Sequence, residues 1–346
     1  MALKPPVEVP QGAIRLNTDS QKLEFFAQDQ WWQMATEVSS PIGVRAFCWG
    51  GYGAPGGTTA TVNTIDYINI ATGGTAVDFG DGTWAGSYTG ATGTRTRGFV
   101  FGGYKVPGPQ LSDPAPIDYI EIATQGNAAD FGDMFTGKYG VGAVSNNVRA
   151  VAGGTYYQNN HIQYITTTST GNAADFGDLT VARSYPAGAA SPTRGLFAGG
   201  FVDQKDEIDY ITIATTGNAV DFGNLVRGKW MQDGAVSSGI RAVFGNGNDG
   251  SSPFGWKDNR IDYVTIATTG NSTDFGDAST YMCPSGAQSS TRGVWFGGQK
   301  GPAGPAWITT IQKIEISTLG NPSEFGDLTL ARGRQSGLSN GGGGLV

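Results

Sequence analysis

The sequence predicts an all-β fold: a single seven-bladed ring of four-stranded antiparallel sheets, the last blade a composite of N- and C-terminal strands, with six blades as the alternative count. Three observations carry this expectation. Glycine supplies 56 of 346 residues, about 16% against a usual share near 7%, and proline is not raised with it. An Asp/Glu-Phe-Gly step recurs at Phe79, Phe131, Phe176, Phe222, Phe275 and Phe325, at intervals of 52, 45, 46, 53 and 50 residues. A period of that length marks a propeller or a solenoid. Between recurrences lie only short β-prone segments separated by Gly, Asn, Asp or Pro, with no helix-length amphipathic run.

The elements follow in order. Residues 1–11 contain three prolines and are expected to form an extended arm outside the ring, leaving 12–346 to the propeller. Each unit then offers strands a to d. Strand b opens on Arg45, Arg97, Arg149, Arg194, Arg241 or Arg292 and is expected over residues 194–200 in one unit. Strand c is expected over 208–215 and strand d around Asp221-Phe222-Gly223, joined by a Gly-Asn turn. Strand a, near 228–237, is built of small residues, as suits the innermost strands that crowd a central axis. Six c–d pairs are visible, yet residues 331–346 read as a further a–b pair. A shift of 300 residues aligns Ile14 with Ile314, Thr18 with Thr318, Glu24 with Glu324 and Phe25 with Phe325. Strands from residues 13–27 are therefore expected to complete a seventh sheet with 331–346.

Charge and cysteine content narrow the partners. The balance of 22 Lys+Arg against 29 Asp+Glu gives a formal charge of −7, which repels polyanions, so nucleic acid is not an expected partner. Cys48 and Cys283 stand at non-equivalent repeat positions without metal-ligand or redox spacing, and are expected to be buried thiols. No stretch of about 18 apolar residues occurs, and the start lacks a basic segment followed by an apolar core, so neither export by a signal peptide nor membrane insertion is expected.

Motifs with a chemical look are absorbed by the repeat. Asp-Phe-Gly resembles a kinase magnesium step, but that motif has meaning only beside a Gly-rich loop and a catalytic loop. Here it recurs with the architecture. The six strand-b arginines and the recurring carboxylates Asp78, Asp130, Asp175, Asp221, Asp274 and Glu324 suggest either bidentate pairs or arginine bonds to turn carbonyls that tie neighbouring strands or blades. His161 is the only histidine, which leaves no His-His metal site, and no metal or cofactor is expected. Paired carboxylates could run glycoside hydrolysis, but most acids are locked to the repeat and the others are scattered. A non-enzymatic role is expected.

A Gly-Gly pair closing strand b, an aromatic in strand c and an Ala-Arg step before strand a resemble the kelch motif over nearly the whole chain, with Asp-Phe-Gly in place of the kelch tryptophan. Residues 12–32 resemble a hairpin near the start of tail-fibre and other structural proteins of tailed phages. The repeat, as in Ile208-Asp-Tyr-Ile-Thr-Ile-Ala-Thr-Thr-Gly-Asn-Ala, looks like arrays in virion proteins of marine cyanophages. The resemblance implies a virion component that binds a host-surface glycan or protein, with capsid decoration or adaptor work as the alternative. It implies other virion subunits as partners and a homo-oligomer within the particle.

The working face is expected to carry the b–c loops, because their lengths vary while the c–d turns hardly do. Those loops bring Tyr52, Tyr104, Lys105, Tyr156, Tyr157, Phe254, Trp256, Lys257 and Trp307, aromatics and cations suited to sugar faces or a protein interface.

Overall fold

A computed structural model of the chain describes residues 10, 12–17, 22–28, 30–33, 44–53, 60–107, 111–156, 159–201, 203–231, 233–245, 247–248, 259–278, 281–282, 285–300 and 307–342. Two units are distinguished, Met1–Gly43 and Val44–Val346. The first holds a three-stranded antiparallel sheet of Ile14–Asn17, Lys22–Ala27 and Gln30–Gln33. Arg15 pairs with the buried Glu24 at 2.8 Å and lies 4.1 Å from the Trp31 ring centroid.

The second unit is all-β and propeller-like, with six four-stranded antiparallel sheets among its described residues. In the order a, b, c, d, sheet 1 is Ser336–Ser339, Arg45–Trp49, Thr64–Asn69, Val77–Asp81. Sheet 2 is Gly90–Gly93, Arg97–Phe101, Pro116–Glu121, Ala129–Asp133. Sheet 3 is Gly142–Ser145, Arg149–Thr155, Asn159–Thr166, Ala174–Asp178. Sheet 4 is Ala187–Ala190, Arg194–Ala198, Glu207–Thr212, Val220–Asn224. Sheet 5 is Ala235–Ser237, Arg241–Phe244, Arg260–Thr265, Thr273–Asp277. Sheet 6 is Ser285–Gln288, Arg292–Phe296, Thr310–Glu315, Ser323–Asp327.

Among the described residues the expected composite seventh sheet is not formed. Residues 14–17 pair with 22–25 as a hairpin, but its further partner is 30–33. The C-terminal strand pairs instead with the first strand b, Ser336 opposite Trp49 and Ser339 opposite Ala46. The physical reason is hydrogen-bond bookkeeping: Arg45–Trp49 has no strand a ahead of it in the second unit, so its free edge takes the last one.

Neighbouring sheets are held by three repeated devices. The hydrophobic core is divided into clusters that each span two sheets: Phe47, Ile65 and Phe79 of sheet 1 pack with Val100 and Ile120 of sheet 2, and Ala46 and Ile68 of sheet 1 pack with Val294 and Phe296 of sheet 6. Burying each such phenylalanine removes enough apolar surface to contribute about 1.5–3 kcal/mol. The Asp-Phe-Gly phenylalanine meets the aromatic of strand c edge-on, as Phe131 meets Tyr119 at 5.7 Å between centroids.

The strand-b arginines form the second device. Each places its guanidinium 4.5–5.5 Å from an aromatic centroid, as Arg194 does over Tyr210 at 4.8 Å. Each also donates Nη1 to a carbonyl past strand c of the next sheet: Arg45 to Ile122, Arg97 to Thr167, Arg149 to Ile213, Arg194 to Ile266, Arg241 to Ile316 and Arg292 to Ile70. Of the two expected arrangements, all six form the bonds to carbonyls; among the described residues the carboxylate pairs that do form are Arg97 with Glu121 at 2.7 Å and Arg292 with Glu315 at 2.9 Å, while the recurring aspartates of Asp-Phe-Gly are exposed. The c–d turns are the third device, since Gly217 N donates to Phe176 O at 2.7 Å and the Asn218 side chain accepts from Asp178 N at 3.1 Å.

Strand c carries a buried polar position that reaches the segment leading into strand a. Asp66 pairs with Arg332 at 3.1 Å, Asp209 with Arg183 at 2.8 Å and Asp262 with Lys229 at 3.0 Å, all essentially without solvent access. In sheet 2 the cation's place is Gly86, and Asp118 accepts instead from the Thr83 N–H and hydroxyl at 3.0 and 2.7 Å. Burial pushes the Asp118 carboxyl above the usual carboxylate range, against those hydrogen bonds. Sheet 3 replaces the acid with Gln163, which accepts from Phe135 N and donates to Thr136 O. Cys48 is buried, its thiol pushed up to about 11 by desolvation, as an inert core thiol would be; Cys283 lies outside the described residues.

Candidate functional site

Strand pairing decides which segments share a face. Gly90, at the start of a strand a, lies opposite Phe101, at the end of a strand b. The d–a segments and the b–c loops therefore emerge together at one end of the sheets. Small bridges lock them side by side: Ser87 with Tyr104, Ser184 with Phe201, Trp230 with Asn248, and Gly333 with Tyr52.

Two residues ahead of strand a the backbone turns left-handed. Tyr88, Gly140, Tyr185, Asp233 and Arg334 have φ of 58, 75, 58, 57 and 58°. Backbone bonds string them into an arc, from Tyr88 N to Arg334 O at 3.0 Å, from Gly140 N to Tyr88 O at 2.8 Å and from Tyr185 N to Gly140 O at 2.7 Å. A side chain in this conformation costs about 1–2 kcal/mol that glycine avoids. The chain keeps glycine at one of these five positions and places Tyr, Tyr, Asp and Arg at the others, so strain is accepted at Tyr88, Tyr185 and Arg334, whose side chains meet at the mouth, and at Asp233 below it.

Around the arc the aromatic rings form one continuous cluster. Tyr88 lies 5.2 Å from Tyr185 and 6.3 Å from Tyr104 between centroids. Tyr104 meets Tyr139 at 5.1 Å, and Tyr139 stacks on Tyr156 at 4.4 Å and 20°. Tyr185 continues to Trp230 at 5.4 Å and to the exposed Phe201 at 6.4 Å. On the other side the Arg334 guanidinium carbon sits 4.9 Å from the Tyr88 centroid, 5.6 Å from Tyr52 and 5.7 Å from Trp307. Desolvation, followed by the neighbouring tyrosines, raises the Tyr185 phenol far above its ordinary value, so it stays a neutral donor.

Below the mouth Asp233 ties three sheets together. Its carboxylate accepts from Gly337 N at 2.9 Å, from Ala91 N and from the Ser336 hydroxyl, linking sheet 5 to sheets 1 and 2. Burial raises its pKa well above the usual range. Beneath it a cavity of about 30 Å³ runs between small residues such as Gly93, Ala143, Gly188 and Gly337, room for about two waters. Among the described residues no three His, Cys, Asp or Glu side chains are placed to hold a metal.

No family model matches the chain, and no curated protein does. The chemistry of the face therefore rests on its own residues. Among the described residues it offers flat apolar rings, phenol and indole donors and the Arg334 guanidinium, which suits recognition of a ligand's polar edge and apolar faces.

Of the residues singled out from the sequence, the structure brings Tyr52, Tyr104, Tyr156 and Trp307 into this cluster. Lys105 adjoins Tyr104 and is half-buried. Tyr157, Phe254, Trp256 and Lys257 lie outside the described residues. His161 is elsewhere, on strand c of sheet 3, 3.2 Å from Asp178 with both side chains largely exposed. Sequence reasoning missed Tyr88, Tyr139, Tyr185, Phe201, Trp230 and Arg334. A signal for most of them was present: eight or nine residues after the phenylalanine of Asp-Phe-Gly stand Tyr88, Tyr139, Tyr185, Trp230 and Arg334.

Proposed function

We propose that the six sheets are the blades of one closed propeller and that the chain is a non-enzymatic binding module whose working face is the aromatic mouth. The observation that carries this is the continuous cluster from Trp307 to Trp230 on strained backbone at the shared end of the b–c loops and d–a segments. Strain of that kind, confined to one face of a rigid scaffold, is spent on side chains that meet something outside the fold. Support for closure comes from the arginine bonds, which pass from each sheet to the next and return from Arg292 to Ile70.

The setting we propose is a phage particle, in which this face meets a host-surface glycan and another surface contacts virion subunits. This part rests on the resemblance of residues 12–32 and of the repeats to tail-fibre and cyanophage virion proteins. Aromatic rings stack on the C–H faces of sugars, and phenol and indole donors take hydroxyl oxygens.

The test is binding of the purified chain to an oligosaccharide panel and to bacterial envelope polysaccharide. Substituting both Tyr104 and Trp307 by Ala should lower saccharide binding at least tenfold with the sheets intact by circular dichroism, whereas Asn218→Ala at the opposite end should leave binding unchanged. Absence of saccharide binding by the unmodified chain, or equal binding by the double variant, would overturn the proposal; capture of another virion subunit by the same face would point to adaptor work instead.

A further inference from the structure

We infer that the glycan taken at this mouth carries a carboxylate and that Arg334 receives it. The inference rests on the aromatic face being the working face, and adds the chemical class of the ligand.

Its partners set Arg334 apart from the other cations of the same segment. Arg183, Lys229 and Arg332 occupy the buried positions leading into strand a, and each has an aspartate partner at 2.8–3.1 Å. Arg334 lies two residues beyond Arg332 and turns into the mouth. Among the described residues it makes ring contacts with Tyr52, Tyr88 and Trp307, and none of them offers a carboxylate within 4 Å or a hydrogen-bond acceptor to its guanidinium. A guanidinium binds rings through its cation and planar faces, while its N–H donors lie in the plane and match the two oxygens of a carboxylate. Stacking therefore leaves the recognition edge unused.

Three further features point the same way. The Nε1–H of Trp307, whose ring packs against the same cation, is buried without an acceptor among the described residues. Arg334 is fixed at its Cα, since its carbonyl accepts from Tyr88 N and its φ is 58°. The three ring contacts hold its guanidinium, so part of the ordering cost of a long side chain is met before a ligand arrives. Among the described residues no ion pair opposes Arg334, and two acidic groups nearby are kept neutral: Tyr185 remains a phenol, and Asp233 holds its proton more tightly than an ordinary carboxyl. On a chain of net charge −7, Arg334 sets a positive group within a frame of rings.

Three probes of matched length decide the matter: a uronic acid oligosaccharide, the same oligosaccharide with its carboxyls reduced to alcohols, and a sulfated neutral oligosaccharide. By calorimetric titration, the unmodified chain should bind the uronate at least tenfold more tightly than the reduced form, with affinity falling as salt rises. Arg334→Gly retains the left-handed backbone, as Gly140 does at the equivalent position, and should abolish the tenfold preference and the salt dependence while residual binding to the reduced sugar persists. Arg334→Lys, included as a second variant with a melting curve for each, should keep part of the preference. Equal affinity for uronate and reduced sugar, a preference that survives in Arg334→Gly, or tighter binding of the sulfated sugar would overturn the carboxylate assignment. Failure of every saccharide to bind would instead remove the underlying proposal that this face binds glycans.

Discussion

At the scale of single residues, the buried strand-c acids separate two effects that look alike in sequence. Asp209 and Asp118 both sit in an Ile-Asp-Tyr step, but Asp209 faces Arg183 and Asp118 faces only Thr83. Asp209→Asn would leave a buried guanidinium without its counter-charge, and should cost about 3–5 kcal/mol in denaturant unfolding. Asp118→Asn strands no cation, and an amide there can accept from Thr83 N and donate to its hydroxyl, much as Gln163 uses both ends of its amide in sheet 3. Because burial raises the Asp118 pKa, the folded protein binds this proton more tightly than the unfolded chain does. Its ionisation therefore removes stability as pH rises from the unfolded value toward the folded one. Asp118→Asn should abolish that decline, so unfolding curves of the variant and the parent should diverge in its favour as pH rises above the carboxylate range. Neither environment was legible in sequence, because the distinction lies in what precedes strand a of the same sheet: Arg183 in one case, Gly86 in the other.

At the scale of elements, the strands were largely readable and their neighbours were not. Strand b was expected over 194–200 and ends at Ala198, where Gly199 and Gly200 turn to φ of 65 and 136°. Strand a was expected over 228–237 but is extended only over Ala235–Ser237, since the preceding residues are drawn off by the Trp230 bridge to Asn248 and the left-handed turn at Asp233. That diversion creates the mouth, and hydrophobic alternation has no way to announce it. The arginine ties were foreseen as residue type and position, whereas their acceptors are backbone carbonyls that carry no sequence signature. Arg194→Ala should remove the bonds to Ile266 and Ala267 together with the cover over Tyr210. A loss of about 2 kcal/mol is expected from a charged donor at a half-buried site, read by thermal melting, with Arg194→Lys recovering less than half because a point charge cannot serve ring and two carbonyls at once. Phe222→Ala should cost about 3–5 kcal/mol by leaving a cavity between sheets 4 and 5.

At the scale of the whole molecule, the six recurring c–d pairs were legible, each found in a four-stranded sheet, while the joining of the ends was not. The 300-residue register match was right that Ile14–Asn17 pairs with Lys22–Ala27, Ile14 opposite Phe25. It could not reveal that the open edge to be satisfied belonged to Arg45–Trp49 rather than to that hairpin. Removing residues 331–346 takes away strand a of sheet 1 and the Arg332 partner of Asp66. The shortened chain should expose an unpaired strand edge and self-associate, seen as high-mass species in light scattering, and a monomer with an unchanged melting curve would count against this account. The same pairing has a consequence in time. Trp49 and its partner Ser336 are separated by 287 positions, and at a synthesis rate of about 5–20 residues per second the first strand b leaves the ribosome roughly 15–60 s before its strand a exists. Sheets 2 to 6 can each assemble from contiguous segments as they emerge, while the first one made waits longest with an apolar edge bare. Slow elongation should therefore lower soluble yield, and a rearranged gene that encodes the last strand directly ahead of the first should raise it.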